Sequence, residues 1–381
     1  MHDQPPRRLV VKVGTSTLTD PQGRIHRGYI ADLTAQLAAQ RAAGRDVILV
    51  TSGAIRAGRE RLELRAASPA SHACADANTL PYKQAAAAVG QGLLLHTYTE
   101  AFAWRDVTVA QVLLTRDDLA DRRRFLNARN TLTALLSLGV VPIINENDTV
   151  AVDEIRFGDN DTLAARVAVL AEADLLLILS DVEGLYARFP AGDAPDAAPI
   201  GEVAKIDASI EALAGGAAGG VGTGGMRTKI EAARIATAFG IRTVIAHGRR
   251  EKVVEEVISG RPVGTTFLPR PGRQRGRKRW IAAGSRPRGS VRVNERAAQR
   301  LLSEGVSLLA VGVVAVEGAF ESGDLIEVFS ETGTCLARGL TNYSAAELRR
   351  IQGLRSDQFE AVLGYRSYEE VIHRDNLALI E

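Results

Sequence analysis

Three polar clusters, each placed where an apolar run gives out, carry residue types able to handle an anionic group. In the first, Leu9-Val10-Val11-Lys12-Val13-Gly14 sets one lysine inside a β-rich run and closes it with Thr15-Ser16-Thr17. A buried strand seldom holds a lysine without a partner, so Lys12 either snorkels to an edge or sends its ammonium to an anionic ligand. The following Gly-Thr-Ser turn can aim backbone N–H groups at phosphate oxygens, although such turns also occur with no ligand. In the second cluster, an apolar run at 140–144 leads into Asn145, Asn147, Asp148, Asn160 and Asp161. These residues either line a crevice at a strand's carboxyl end or are ordinary turn and cap residues. The third, residues 214–229, is rich in glycine and ends in Lys229. There Gly222, Gly224 and Gly225 let main-chain amides approach phosphates at a helix start, Thr223 adds a hydroxyl and Lys229 a charge; a flexible linker is the plainer alternative.

Only six of the 47 basic residues are lysine, so a lysine beside a special loop hints at a need for a compact ammonium. Two common nucleotide motifs are excluded. No Gly-Lys dipeptide exists for a Walker A loop, and the first strand is not followed by the three glycines of a dinucleotide fingerprint.

The elements that must position these clusters alternate. Apolar runs predict strands at 9–13, 46–51, 107–114, 140–144, 173–180 and 241–246, and helical patterns predict helices at 29–43, 82–103, 121–138, 161–171, 226–239 and 252–258. Ser52 and Gly53 follow the second strand, where they either admit a carboxylate or phosphate to the next helix's amino end or merely cap that helix. Ser180 and Asp181 again place polar groups at a strand end. Residues 63–80 and 187–201 read as irregular surface loops. The alternation predicts an α/β fold with a doubly wound, mainly parallel sheet flanked by helices.

A chain of 381 residues has room for two domains, and 46% hydrophobic with 24% charged residues is ordinary for a soluble globular protein. A net charge of +2 gives no global pull toward nucleic acid. Cys74 and Cys335 stand far apart, which argues against a disulfide framework or a thiolate zinc site, and no metal-ligand residues are assigned. The amino terminus lacks the apolar core of a signal peptide, and no run of about 18 apolar residues occurs, so a cytoplasmic protein with no membrane partner is expected. Between Leu268 and Arg288 lie eight basic residues and no acid. Beyond them, short strands at 290–293 and 325–329 and small helices at 295–303 and 345–351 predict a separate β-rich domain. The expected boundaries are 1–268 for the first domain, 269–286 for a basic linker, 287–366 for the second domain and 367–381 for a tail.

Six motifs in one order resemble those of the glutamate 5-kinases, amino-acid kinases with a C-terminal PUA domain. They are Val10-Val11-Lys12-Val13-Gly14-Thr15-Ser16, Val50-Thr51-Ser52-Gly53-Ala54-Ile55, Leu113-Leu114-Thr115-Arg116-Asp117-Asp118, Asn145-Glu146-Asn147-Asp148, Gly158-Asp159-Asn160-Asp161, and Gly222-Thr223-Gly224-Gly225-Met226-Arg227-Thr228-Lys229. The resemblance covers nearly the whole chain. It implies ATP-dependent phosphorylation of the side-chain carboxylate of L-glutamate, with Mg2+ accompanying ATP, as the opening step of proline synthesis. It further implies that Lys12 and Lys229 touch the phosphates, that Ser180, Asp181 and Thr223 to Lys229 (Thr223, Gly224, Gly225, Met226, Arg227, Thr228 and Lys229) belong to the nucleotide site, and that Ser52, Asp148 and Asn160 hold glutamate.

Asp161 is expected to orient both lysines by ion pairing. A glutamate carboxylate is already ionised at neutral pH, so no general base is needed, in keeping with the lack of a His-carboxylate pair. A homo-oligomer and feedback inhibition by proline are also expected of such an enzyme. Two departures stand out: Ser180 replaces a usual threonine, and the 63–80 loop is longer than usual, which bears on proline inhibition. The rival readings are a sister kinase acting on acetylglutamate, aspartate or a nucleoside monophosphate, and an RNA-binding protein acting through the basic linker and PUA-like domain. Near-neutral charge and 5% aromatic content count against RNA.

Overall fold

The structure, a computed structural model, describes residues 5–20, 24–66, 79–151, 159–187, 198–213, 225–269, 287–365 and 368–380. The chain divides into two units, Met1–Ala120 with Ala128–Arg273, and Asp121–Asn127 with Gln274–Glu381.

The first unit alternates strand and helix from its start. β1 (Arg8–Val13) is followed by α1 (Thr15–Leu18) and α2 (Arg27–Ala42), then β2 (Asp46–Val50), α3 (Ala54–Ala66) and α4 (Leu80–Ala103). Next come β3 (Val109–Leu114), α5 (Arg116–Ala120), α6 (Arg122–Ser137), which belongs to this unit from Ala128 on, and β4 (Val141–Glu146). α7 (Asp159–Leu170), β5 (Leu175–Ser180), β6 (Glu202–Val203), α8 (Ala208–Leu213), α9 (Met226–Ala238), β7 (Arg242–His247), α10 (Val253–Ile258) and β8 (Thr265–Phe267) complete the unit.

These eight strands form one sheet in the order β3-β4-β2-β1-β5-β7-β8-β6. The six longer strands pair in parallel. β8 runs antiparallel to β7, and β6 pairs in parallel with β8. β8 and β6, the last two strands at one end of the sheet, leave no signal in the sequence because stretches of two and three residues are too short to show a period.

The central strands are mostly apolar because both faces are covered, as the wholly buried Leu-Leu-Leu-Ile-Leu-Ser of β5 shows. Alternate side chains divide between the faces. Leu9, Val11 and Val13 of β1 join a core with Leu37 of α2, Leu94 of α4 and Val254 of α10. Lys12 therefore points the other way, toward the side covered by α7.

α3 and α4 touch backbone to backbone. A Cβ added to Gly58 would meet the Ala86 carbonyl oxygen at 1.7 Å, and one added to Gly90 would meet that of Ala54 at 1.8 Å. α3 also extends through Ala66, so residues 63–66 are helical rather than loop; 67–78 lie outside the described residues. The Gly14-Thr15-Ser16-Thr17 segment is a single helical turn, and its Gly14 N–H donates to Leu179 O at 3.2 Å. That amide is spent within the sheet, which narrows the expected phosphate nest to the groups after it.

The second unit carries a five-stranded sheet. Its strands are β9 (Gly289–Val293), β10 (Val313–Gly318), β11 (Leu325–Ser330), β12 (Cys335–Leu340) and β13 (Leu377–Leu379), in the order β10-β9-β11-β12-β13. Three helices lie between them in sequence, α11 (Glu295–Glu304), α12 (Ala345–Ile351) and α13 (Phe359–Leu363). Asn294 caps the first through the Ala297 N–H, and Ser344 with Glu347 closes a capping box on the second. Val291, Val328, Tyr343 and Phe359 share its core, the two rings meeting edge to face at 5.7 Å. β13 pairs with β12, so the small sheet continues past residue 366 into the stretch read as a tail. All of the basic linker except residue 269 lies outside the described residues.

Candidate active site

Strand order reverses at β1, with β2 on one side and β5 on the other, which opens a crevice beyond the carboxyl ends of these strands. Lys12 enters that crevice from β1, and it is buried. Its Nζ lies 2.6 Å from Oδ1 of Asp161, a residue with no exposed surface. The other oxygen of Asp161 accepts from Thr228 Oγ1 at 2.7 Å and lies 3.4 Å from Lys229 Nζ. Two ammoniums thus share one carboxylate, leaving the buried group with a net charge of about +1.

Local helix structure explains the convergence. α7 begins at Asp159, two residues before its expected start, which puts Asn160 and Asp161 in its first turn, where a carboxylate is favoured by the helix dipole. α9 begins at Met226 behind Gly225, so Thr228 and Lys229 sit in its first turn and face Asp161. Burial pushes the Asp161 carboxyl up, but the Lys12 and Lys229 ammoniums and the Thr228 hydroxyl more than offset this and hold it below the ordinary carboxylate range. For Lys229 the balance goes the other way. Burial, helped by Lys12, outweighs the attraction of Asp161 and lowers its pKa from the usual 10.5.

Around this centre the strand ends contribute polar groups. Ser180, buried at the end of β5, donates from Oγ to Asp181 Oδ1 at 3.0 Å. Ser52 follows β2, and the next residue, Gly53, has φ +95°, a backbone state that only glycine adopts readily. Asn160 Nδ2 donates both to Ser52 Oγ at 2.9 Å and to Asn145 Oδ1 at 3.0 Å. Asn145 Nδ2 in turn donates to Gln91 Oε1 at 2.8 Å. Asn160 Oδ1 and Gln91 Nε2 are buried without a hydrogen-bond partner among the described residues.

The structure therefore brings Lys12, Asp161, Thr228 and Lys229 together, and it joins Ser52, Asn145 and Asn160 beside them. Asp148 is half-buried in the turn after β4. Asn147 accepts from Thr149 Oγ1 at 2.6 Å, a local turn contact of the plainer kind. Gly225, Met226 and Arg227 open α9, whereas Gly222, Thr223 and Gly224 lie outside the described residues. Gln91 escaped the sequence reading, because a glutamine in an alanine-rich helix carries no local mark of the strand end it touches.

The geometry meets known proteins at this point. Residues 7–247 match the amino acid kinase family and residues 289–363 match the PUA domain. The glutamate 5-kinase of Moorella thermoacetica is 50% identical over 374 residues, covering 98% of this chain and 96% of the relative. That of Carboxydothermus hydrogenoformans is 49% identical over 376 residues, and that of Trichlorobacter lovleyi 48% over 375, each covering 98% of this chain. These alignments cover 98% of the Carboxydothermus relative and 97% of the Trichlorobacter one. With both domains matched along nearly its whole length, the chain belongs to the amino acid kinase family and, within it, to the glutamate 5-kinases.

Proposed function

We propose that this chain transfers the γ-phosphoryl group of ATP to the side-chain carboxylate of L-glutamate, giving L-glutamyl 5-phosphate at the entry to proline biosynthesis. The observation that carries the reading is the buried Lys12–Asp161–Lys229 group at the sheet's switch point. In the reaction, a carboxylate oxygen of glutamate forms a bond to the γ-phosphorus while the bond from that phosphorus to the bridging oxygen of the departing ADP breaks. The nucleophile is an anion already, so no side chain has to remove a proton. What opposes the step is repulsion between a carboxylate and a polyanion, and two ammoniums in a dry site reduce it.

Asp161 keeps the lysines in place, and its single charge leaves the group net positive toward the phosphates. Lys12, Ser180, Asp181 and the start of α9, including Gly225, Thr228 and Lys229, form the nucleotide side. Ser52, Asp148 and Asn160 form the glutamate side. Magnesium enters as part of the nucleotide substrate. Among the described residues, no helix is long and apolar enough to cross a membrane.

The deciding assay incubates the protein with ATP, magnesium, glutamate and hydroxylamine, which traps an acyl phosphate as glutamyl hydroxamate. Hydroxamate formation is expected. Turnover confined to acetylglutamate, aspartate or a nucleoside monophosphate would replace the assignment with a sister activity.

A further inference from the structure

Four side chains from four elements form a continuous chain on the glutamate side: Gln91 of α4, Asn145 at the end of β4, Asn160 of α7, and Ser52 after β2. Three of them are primary amides, each with an oxygen at one end and an NH2 group at the other. Reversing Asn145 alone would set its oxygen against that of Gln91 and its NH2 group against that of Asn160. In a buried site such like-facing contacts leave donors and acceptors unpaired, so the three amides must keep a common sense.

In the observed sense the Asn145 and Asn160 NH2 groups donate toward Gln91, that of Asn160 also to Ser52 Oγ, and Asn160 Oδ1 and Gln91 Nε2 are left buried with no partner among the described residues. An oxygen in that position suits a donor such as an ammonium. In the opposite sense the same spot would present an NH2 group and repel it.

We infer that Gln91 is a positioning residue for substrate recognition: its Oε1 fixes the amide of Asn145, which fixes that of Asn160, so that an oxygen faces the substrate's α-ammonium. The inference rests on the assignment of glutamate as the acceptor and of Asn160 to its site. Gln91 itself does not touch the reacting atoms. A purely structural glutamine, filling the α3–α4 crossing beside Gly90, would affect all ligands alike.

Gln91→Met removes the acceptor at nearly constant volume. Glutamate KM is expected to rise roughly tenfold, the size of one lost hydrogen bond, with kcat and the KM for ATP within about twofold of wild type. The inhibition constant of glutarate, which has both carboxylates but no ammonium, is expected to stay within about twofold. Gln91→Glu keeps an oxygen toward Asn145 and should bring glutamate KM back to within about threefold of wild type. Gln91→Leu takes the place of the methionine variant if thermal melts show that the latter does not fold.

An unchanged glutamate KM in the apolar variant would overturn the inference. So would an equal weakening of glutamate and glutarate, or a Gln91→Glu protein no better than Gln91→Met. A wild-type protein that turns over another acceptor and not glutamate would instead overturn the function proposed above, before any variant is compared.

Discussion

Asn160 and Asp161 are consecutive residues of one helix turn, yet they serve two differently built regions. Asp161 anchors an ionic group in which two buried ammoniums lie 2.6 and 3.4 Å from one buried carboxylate. Asn160 anchors a neutral one, a chain of amides and a hydroxyl in which Asn160 Oδ1 and Gln91 Nε2 have no partner among the described residues. The difference matches two tasks. Moving a phosphoryl group between anions requires field strength, which buried charge supplies, and a countercharge between the lysines limits their mutual repulsion. Recognising one amino acid requires orientation, which amides supply because their donors and acceptors are at fixed ends.

Removing one member from each region should therefore damage different kinetic constants. Lys229→Ala takes an ammonium from the ionic group, and turnover should fall by roughly 10²-fold or more, with little change in glutamate KM. An unchanged kcat in steady-state assays would remove Lys229 from the transition state. Asn160→Ala takes the acceptor from the amide chain, and glutamate KM should rise about tenfold while the KM for ATP holds. If kcat rather than KM carried that loss, the two regions would not be separable.

The smallest effect is in the pH dependence. The pKa of Lys229 is lowered in the folded protein, by burial first, so in the window between its folded value and 10.5 the unfolded chain binds more protons. Stability should rise with pH across that window as the cost of a buried charge is relieved, while kcat/KM for ATP falls as the ammonium is lost. Denaturant melts and initial rates over the alkaline range, set against Lys229→Met, check both signs. Two curves moving in the same direction would mean that Lys229 does not act as a charge.

Much of the ionic region was legible in the sequence. Lys12 is conspicuous inside an apolar strand, and the Asp161 and Lys229 motifs flank helix starts that the apolar pattern locates to within two residues. The amide region was half legible. Ser52, Asn145 and Asn160 stand at strand ends and helix starts, but Gln91 reaches them from mid-helix across 54 positions of sequence, and only packing makes that contact. The same limit hid the outer strands. β6 and β8 are held by their neighbours and not by any period of their own.

One peptide bond separates the two regions, and its consequence is metrical. The Cα atoms of Asn160 and Asp161 stand about 3.8 Å apart by covalent geometry, so the roots of the amide chain and of the ionic group are spaced by a bond that thermal motion cannot stretch. A single residue inserted between them would swing Asp161 by about 100° around the helix and take its carboxylate away from both lysines. The chain thus carries its own ruler between its buried charges and its buried amides.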